Sequence, residues 1–147
     1  MRYTVETTIN RPIQQVIELF DNQDLLKDWQ PGLESFTHIS GTPGQVGAKS
    51  RLVYVTGKRR IEMVETITVR NLPSEMTFTF EANGVFNIVK NYFTKVDEHT
   101  TRYATEQEFQ FKGFMKVIGM LFPNMFKKES VKSLEQFKAF VEKQPKA

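Results

Sequence analysis

The chain has no cysteine. That one absence removes disulfides, thiolate metal sites and cysteine nucleophiles together, and it fits a reducing compartment such as the cytoplasm. Histidine is nearly as scarce, with only His38 and His99. His99 falls in a turn and His38 on an edge-like strand. Neither has an acid and a nucleophile nearby to complete a triad, and two distant histidines make no zinc signature. No metal and no cofactor is expected. Long apolar runs are missing as well. The longest spans residues 117–122, contains Gly119 and is followed by Pro123, far short of the ~20 residues of a membrane span. The N-terminus runs straight into the alternating segment RYTVETTI, so neither a secretory signal nor stable membrane insertion is expected. No arginine-rich strip with interleaved aromatics is present, so nucleic acid is not an expected partner.

What is present is enough chain for one domain over residues 1–147. A chain of this size buries roughly 70% of its unfolded surface. The net charge of +3 is unevenly placed. Residues 1–111 carry 12 Lys/Arg against 14 Asp/Glu, whereas residues 112–147 carry 8 lysines against 3 glutamates. That basic end reads first as the solvent face of a final helix, with an anionic partner or membrane surface as the alternative.

Residues 2–9 alternate as a strand. Asn10 stands where a helix cap belongs and Pro12 near the first turn, and Ile13, Val16, Ile17 and Phe20 then follow helical spacing. A second short helix runs through Leu25, Leu26 and Trp29 and stops at Pro31-Gly32. From Ser35 to Phe111 breakers at residues 41–47, 57–58, 71–74, 83–84 and 97–100 divide six strands rich in Thr, Phe, Tyr and Val. Residues 114–143 are helical, interrupted at Pro123, with an apolar stripe of Phe126, Leu134, Phe137 and Val141. The fold class is therefore α+β: a seven-stranded antiparallel sheet wrapped around a long C-terminal helix, with two short helices between the first two strands.

The segments INRPIQQVIELFDNQDLLKDWQPGLESF, GTPGQVGAKSRLVY, DEHTTRYATEQEFQF and KKESVKSLEQFKAFVEK occur in an order that resembles the START-like superfamily, also called SRPBCC, with its polyketide cyclase-like members. The resemblance covers nearly the whole chain. It implies a helix-grip fold with an internal pocket, and it implies no single activity, because that scaffold hosts carriers, sensors, cyclases and co-chaperones.

The turns give strand registers. Gly57-Lys58 suits a two-residue hairpin, which sets Tyr54 opposite Ile61, Leu52 opposite Met63 and Ser50 opposite Glu65. Leu52, Tyr54, Ile61, Met63, Ile67 and Val69 then share an apolar face, and Arg51, Arg60, Glu62, Thr66, Thr68 and Arg70 face solvent. Asn83-Gly84 is the strongest hairpin signal. A two-residue loop there pairs Phe80 with Asn87 and Phe78 with Val89, so Met76, Phe78, Phe80, Asn87, Val89, Asn91 and Phe93 point inward. In the last strand the two phases stay open. One sends Glu106 inward, the other Tyr103, Phe109 and Phe111, since a one-residue slip flips every side chain.

These faces predict a cavity lined by Tyr54, Met63, Phe78, Phe80 and Val89, with Asn87 and Asn91 as polar neighbours, roofed by Ile118 and Phe122. Phe114, Val117 and Leu121 read mostly as core. Trp29 either closes one end of the cavity or packs the short helices. Glu65 is the main polar handle, because a carboxyl among apolar neighbours is desolvated and its pKa rises. The expected partner is a small hydrophobic or amphipathic ligand, lipid-like or aromatic. An aromatase/cyclase-type enzyme is the alternative, and a co-chaperone-like interaction module is the third reading, resting on the lysine-rich helix. A monomer or weak homodimer is expected.

Overall fold

The computed structural model describes residues 1–146. Its elements are β1 (Arg2–Ile9), α1 (Ile13–Phe20), a 3-10 turn (Gln23–Leu25), α2 (Leu26–Trp29), β2 (Leu33–Ser40), β3 (Lys49–Thr56), β4 (Arg59–Asn71), β5 (Glu75–Ala82), β6 (Val85–Asp97), β7 (Thr100–Phe111), α3 (Phe114–Leu121) and α4 (Pro123–Lys143). The seven strands form one sheet in the order β1-β7-β6-β5-β4-β3-β2, with antiparallel pairing at every step. The α+β helix-grip architecture is thus the one that the residue order implies.

Local chemistry explains the boundaries, with one correction. The cap position of α1 is Pro12, with no side-chain cap. Asn10 lies outside the helix, and its backbone N–H donates to Glu142 Oε2 at 2.8 Å. Pro12 displaces the start of the helix because its preceding residue avoids the helical region. Pro123 stands in the first turn of α4, where a missing N–H costs nothing, and Phe122 with φ −130° breaks the chain between α3 and α4.

Both hairpin registers read from the turns hold: Ser50 pairs with Glu65 and Tyr54 with Ile61, and Phe80 pairs with Asn87 and Phe78 with Val89. Two irregularities change the faces beyond them. The β4–β5 register shifts between Ile67 and Val69, after which Arg70 pairs with Met76 and Val69 with Thr77. One extra residue reverses the alternation, so Val69 turns outward and Arg70 joins the inner side, opposite to the plain alternation. There the Arg70 guanidinium donates two hydrogen bonds, 2.6 and 2.7 Å, to the carboxylate of Asp21 at the end of α1. A second shift between Lys95 and Asp97 sets Phe93 opposite Tyr103. This decides the open phase of β7: Tyr103, Thr105, Gln107, Phe109 and Phe111 face inward, and Glu106 faces out opposite Lys90.

The core gathers where α1 and the C-terminal half of α4 meet the sheet. Leu134, Phe137 and Val141 recur at helical spacing and are buried, with Phe137 and Val141 at 0% exposure. Phe137 stacks edge-on with Phe20, Trp29 and Tyr103 at ring distances of 5.6, 4.9 and 5.6 Å. Burying each such ring contributes roughly 1.5–3 kcal/mol.

Candidate functional site

The pairings resolve the concave face of the sheet into cross-strand rows. One row runs Arg70, Met76, Asn91, Thr105, Val5. The next, Ile67, Phe78, Val89, Gln107, Tyr3, lies one pleat further toward the β5–β6 hairpin, and beyond it comes Ser50, Glu65, Phe80, Asn87, Phe109. Met63 with Leu52, Ile61 with Tyr54, and Val85 with Phe111 finish that end. Burial falls along this direction on β5, β6 and β7, while Ser50, Leu52 and Glu65 on the β3–β4 side stay buried. Ile9, Thr101, Phe93 and Tyr103 at the far end are sealed, and so are Met76, Asn91 and Thr105. Phe78, Phe80, Asn87, Phe109, Phe111, Met63 and Tyr54 are only half-buried, and Ile61 is exposed.

Polar groups differ in the same direction. Asn91 is fully employed: its amide donates to the Met76 carbonyl at 3.1 Å and its oxygen accepts from the Tyr103 hydroxyl at 2.8 Å. It reads as a structural residue of the sealed half. Asn87 donates to Gln107 Oε1 at 3.2 Å, and its own side-chain oxygen is buried without a partner. Tyr54 donates its hydroxyl to Gln30 Oε1 at 2.5 Å, which ties the open half to the chain just after Trp29. Glu65 is buried, yet no hydrogen bond or ion pair reaches its carboxyl among the described residues. Burial pushes its pKa up to about 7 because the charged form loses water and gains nothing in return. Burial also raises the Tyr54 hydroxyl, helped by the Glu65 charge nearby.

Of the sequence-predicted residues, Tyr54, Met63, Glu65, Phe78, Phe80, Asn87 and Val89 lie together on this face. Trp29 lies in the sealed core against Phe137, its ring N–H without a partner. Ile118 is half-buried, whereas Phe122 is 53% exposed. Phe114, Val117 and Leu121 are exposed rather than core, because α3 turns its other side to the sheet. Residues missed or left open are Gln107, Phe109, Phe111 and Phe126, the three rings being mutually packed at 5.0–5.8 Å. The strand-six bulge hid the phase of β7, and only the aromatic content of one alternate face pointed to it.

A separate open groove of about 460 Å³ lies at the Arg70 end, lined by residues 21–24, 43–45 and Arg70. It is polar, none of the predicted site residues lines it, and Asp21 already engages its one arginine. Among the described residues no group of three or more His, Asp or Glu side chains is placed to hold a metal ion. No helix among them is long and apolar enough to cross a membrane.

Comparison with known proteins follows the same outline. The family described as polyketide cyclase / dehydrase and lipid transport matches residues 1–142. No curated protein matches the sequence. Among solved structures, the Zhui aromatase/cyclase of a Streptomyces species superposes with a TM-score of 0.81 at 13% identity, over 97% of this chain and 93% of that one. Norcoclaurine synthase from Thalictrum flavum, solved with dopamine and hydroxybenzaldehyde, gives 0.76 at 13% identity over 100% and 89%. Ara h 8.0201 gives 0.76 at 14% identity over 98% and 99%. At these identities the likeness is one of fold.

Proposed function

The chain belongs to the polyketide cyclase/dehydrase and lipid transport family, and from that premise we propose that it holds a small amphipathic molecule against the open half of its concave face. One observation carries the reading: a buried carboxyl with no partner, Glu65, sits in a row whose neighbours are Phe80 and the half-buried rings beyond. A polar group largely shielded from water and left unpaired is costly, and a ligand that supplies the missing hydrogen bond offsets that cost. The apolar body of the ligand, a ring system or a chain, covers Met63, Phe78 and Phe80. Its one polar end, a hydroxyl, amine or carboxyl, meets Glu65. Pockets of mostly apolar lining with few oriented polar groups are the usual form of such sites.

A second reading is favoured by the pKa of about 7 at Glu65. A carboxyl that gains and loses a proton near neutrality is matched to general acid–base work on a bound carbonyl compound, as a cyclase requires. Native mass spectrometry of freshly purified protein tests the main reading: a stoichiometric small molecule retained by wild type and lost from Phe80→Asp supports it. Bare protein under all gentle conditions, together with failure to take up added fatty acids or aromatic polyketides, contradicts it. Turnover of the retained molecule by wild type but not by Glu65→Gln would favour the enzyme.

A further inference from the structure

Residues 109–128 contain no acidic residue, and four lysines, Lys112, Lys116, Lys127 and Lys128, all exposed. Within this stretch α3 is held to the body by one side only. Gly119 stands so close to Phe111 that an added Cβ would come within 2.6 Å of the ring, and Met115 lies so close over Gly84 that a Cβ there would meet its Cγ at 2.9 Å. With that side fixed inward, the opposite side carries Phe114 at 75% exposure, Met120 at 76% and Leu121 at 63%. Val117, Phe122 and Met125 are exposed too and extend the patch across the break into α4. At helical spacing Phe114, Leu121, Val117 and Met120 form one continuous arc of α3. Contiguous apolar surface of this kind on a monomer marks an interaction site.

We propose that this face docks the protein on an anionic lipid bilayer, with the apolar arc entering the acyl boundary and the four lysines meeting the headgroups. The charge pattern selects the occupant. A second copy seated face to face by two-fold symmetry would bring the same lysines against each other. A neutral protein surface would leave them idle. An anionic bilayer offers apolar depth and negative charge together, the combination that interfacial helices exploit. Each basic residue near such a surface raises affinity about fivefold. The proposal goes beyond the ligand reading and stands independently of it, because docking needs no occupied cavity.

The test is sedimentation with vesicles of phosphatidylcholine alone and of phosphatidylcholine with about 30 mol% phosphatidylserine. Wild type should sediment with the anionic vesicles at least about tenfold more strongly than with the neutral ones, and most of that advantage should vanish in high salt. Two variants separate the contributions. Met120→Glu with Leu121→Glu alters exposed positions and should abolish binding while the circular dichroism spectrum and unfolding midpoint stay those of wild type. Lys127→Glu with Lys128→Glu should remove the preference for anionic lipid, about tenfold or more. No vesicle binding by wild type, equal binding to both lipids, or a stable dimer in light scattering that Leu121→Glu dissociates would each overturn the proposal.

Discussion

Phe137 and Phe80 lie on the same side of the sheet, yet they have different surroundings. Phe137 is fully enclosed by Phe20, Trp29 and Tyr103. Phe80 makes a ring contact with Phe78 at 6.0 Å and stays half-buried. Around the first, Asn91 has partners on both sides, although the Trp29 ring N–H has none; around the second, both the Glu65 carboxyl and the Asn87 oxygen lack partners. One strand set builds both halves. What differs is the cover: Phe20 of α1 and Phe137 of α4 pack ring on ring at one end, whereas at the other Phe20 and Phe126 reach Phe78, Phe109 and Phe111 and leave these rings half-buried. A half with half-buried rings and a few unpaired polar groups is what a binding surface requires, and a sealed half is what holds the sheet in shape.

Substitutions separate the halves most sharply. Phe137→Ala should cost about 3–5 kcal/mol, the range for a fully buried aromatic that leaves a cavity, read by urea unfolding, with no change in probe affinity per folded molecule. The next effect is electrostatic. The Glu65 carboxyl has an ordinary pKa of 4.5 and a folded one of about 7. A folded pKa above the unfolded value means that the native state binds the proton more tightly. Its contribution to stability is therefore fully present below about pH 4.5 and is lost as pH rises through about 7, a fall of about 3 kcal/mol. Glu65→Gln should flatten that part of the unfolding profile between pH 5 and 8; an unchanged slope would assign the pH dependence elsewhere.

Phe80→Ala should cost less than Phe137→Ala, about 1–2 kcal/mol, and should weaken probe binding where Phe137→Ala does not. Equal stability losses would erase the distinction between the halves. The smallest effect lies away from both. Arg70→Ala removes the pair with Asp21, whose side chains are 25% and 32% exposed, and solvent screening limits the loss to about 1 kcal/mol, with probe affinity unchanged.

Much of this contrast was legible in the residues. The Gly57-Lys58 and Asn83-Gly84 turns set two registers, which put Met63 and Glu65 on one inward face and Phe78 and Phe80 on another; the β4–β5 pairing that joins them, Glu65 opposite Phe80, carries no such turn signal. The bulges at Thr68 and Val96 were not legible, because one inserted residue leaves composition and turn signals unchanged while it flips every side chain after it. That is why Arg70 and Val69 exchanged sides. Periodicity also names a face without saying what lies over it. Met115 and Gly119 against Phe114 and Leu121 look alike as apolar helix positions, and only the close approach of Gly119 to Phe111 decides which side of α3 turns in.

The most direct test titrates an anionic fluorescent fatty-acid probe into wild type and Glu65→Gln across pH 5–9. The open half should take one probe per chain. In wild type the affinity should fall by about tenfold as Glu65 ionises through pH 7 and its charge opposes the probe's own, and the Glu65→Gln curve should stay flat. Identical curves for the two proteins, or no saturable binding at any pH, would contradict the claim that this half of the sheet is a ligand site built around Glu65.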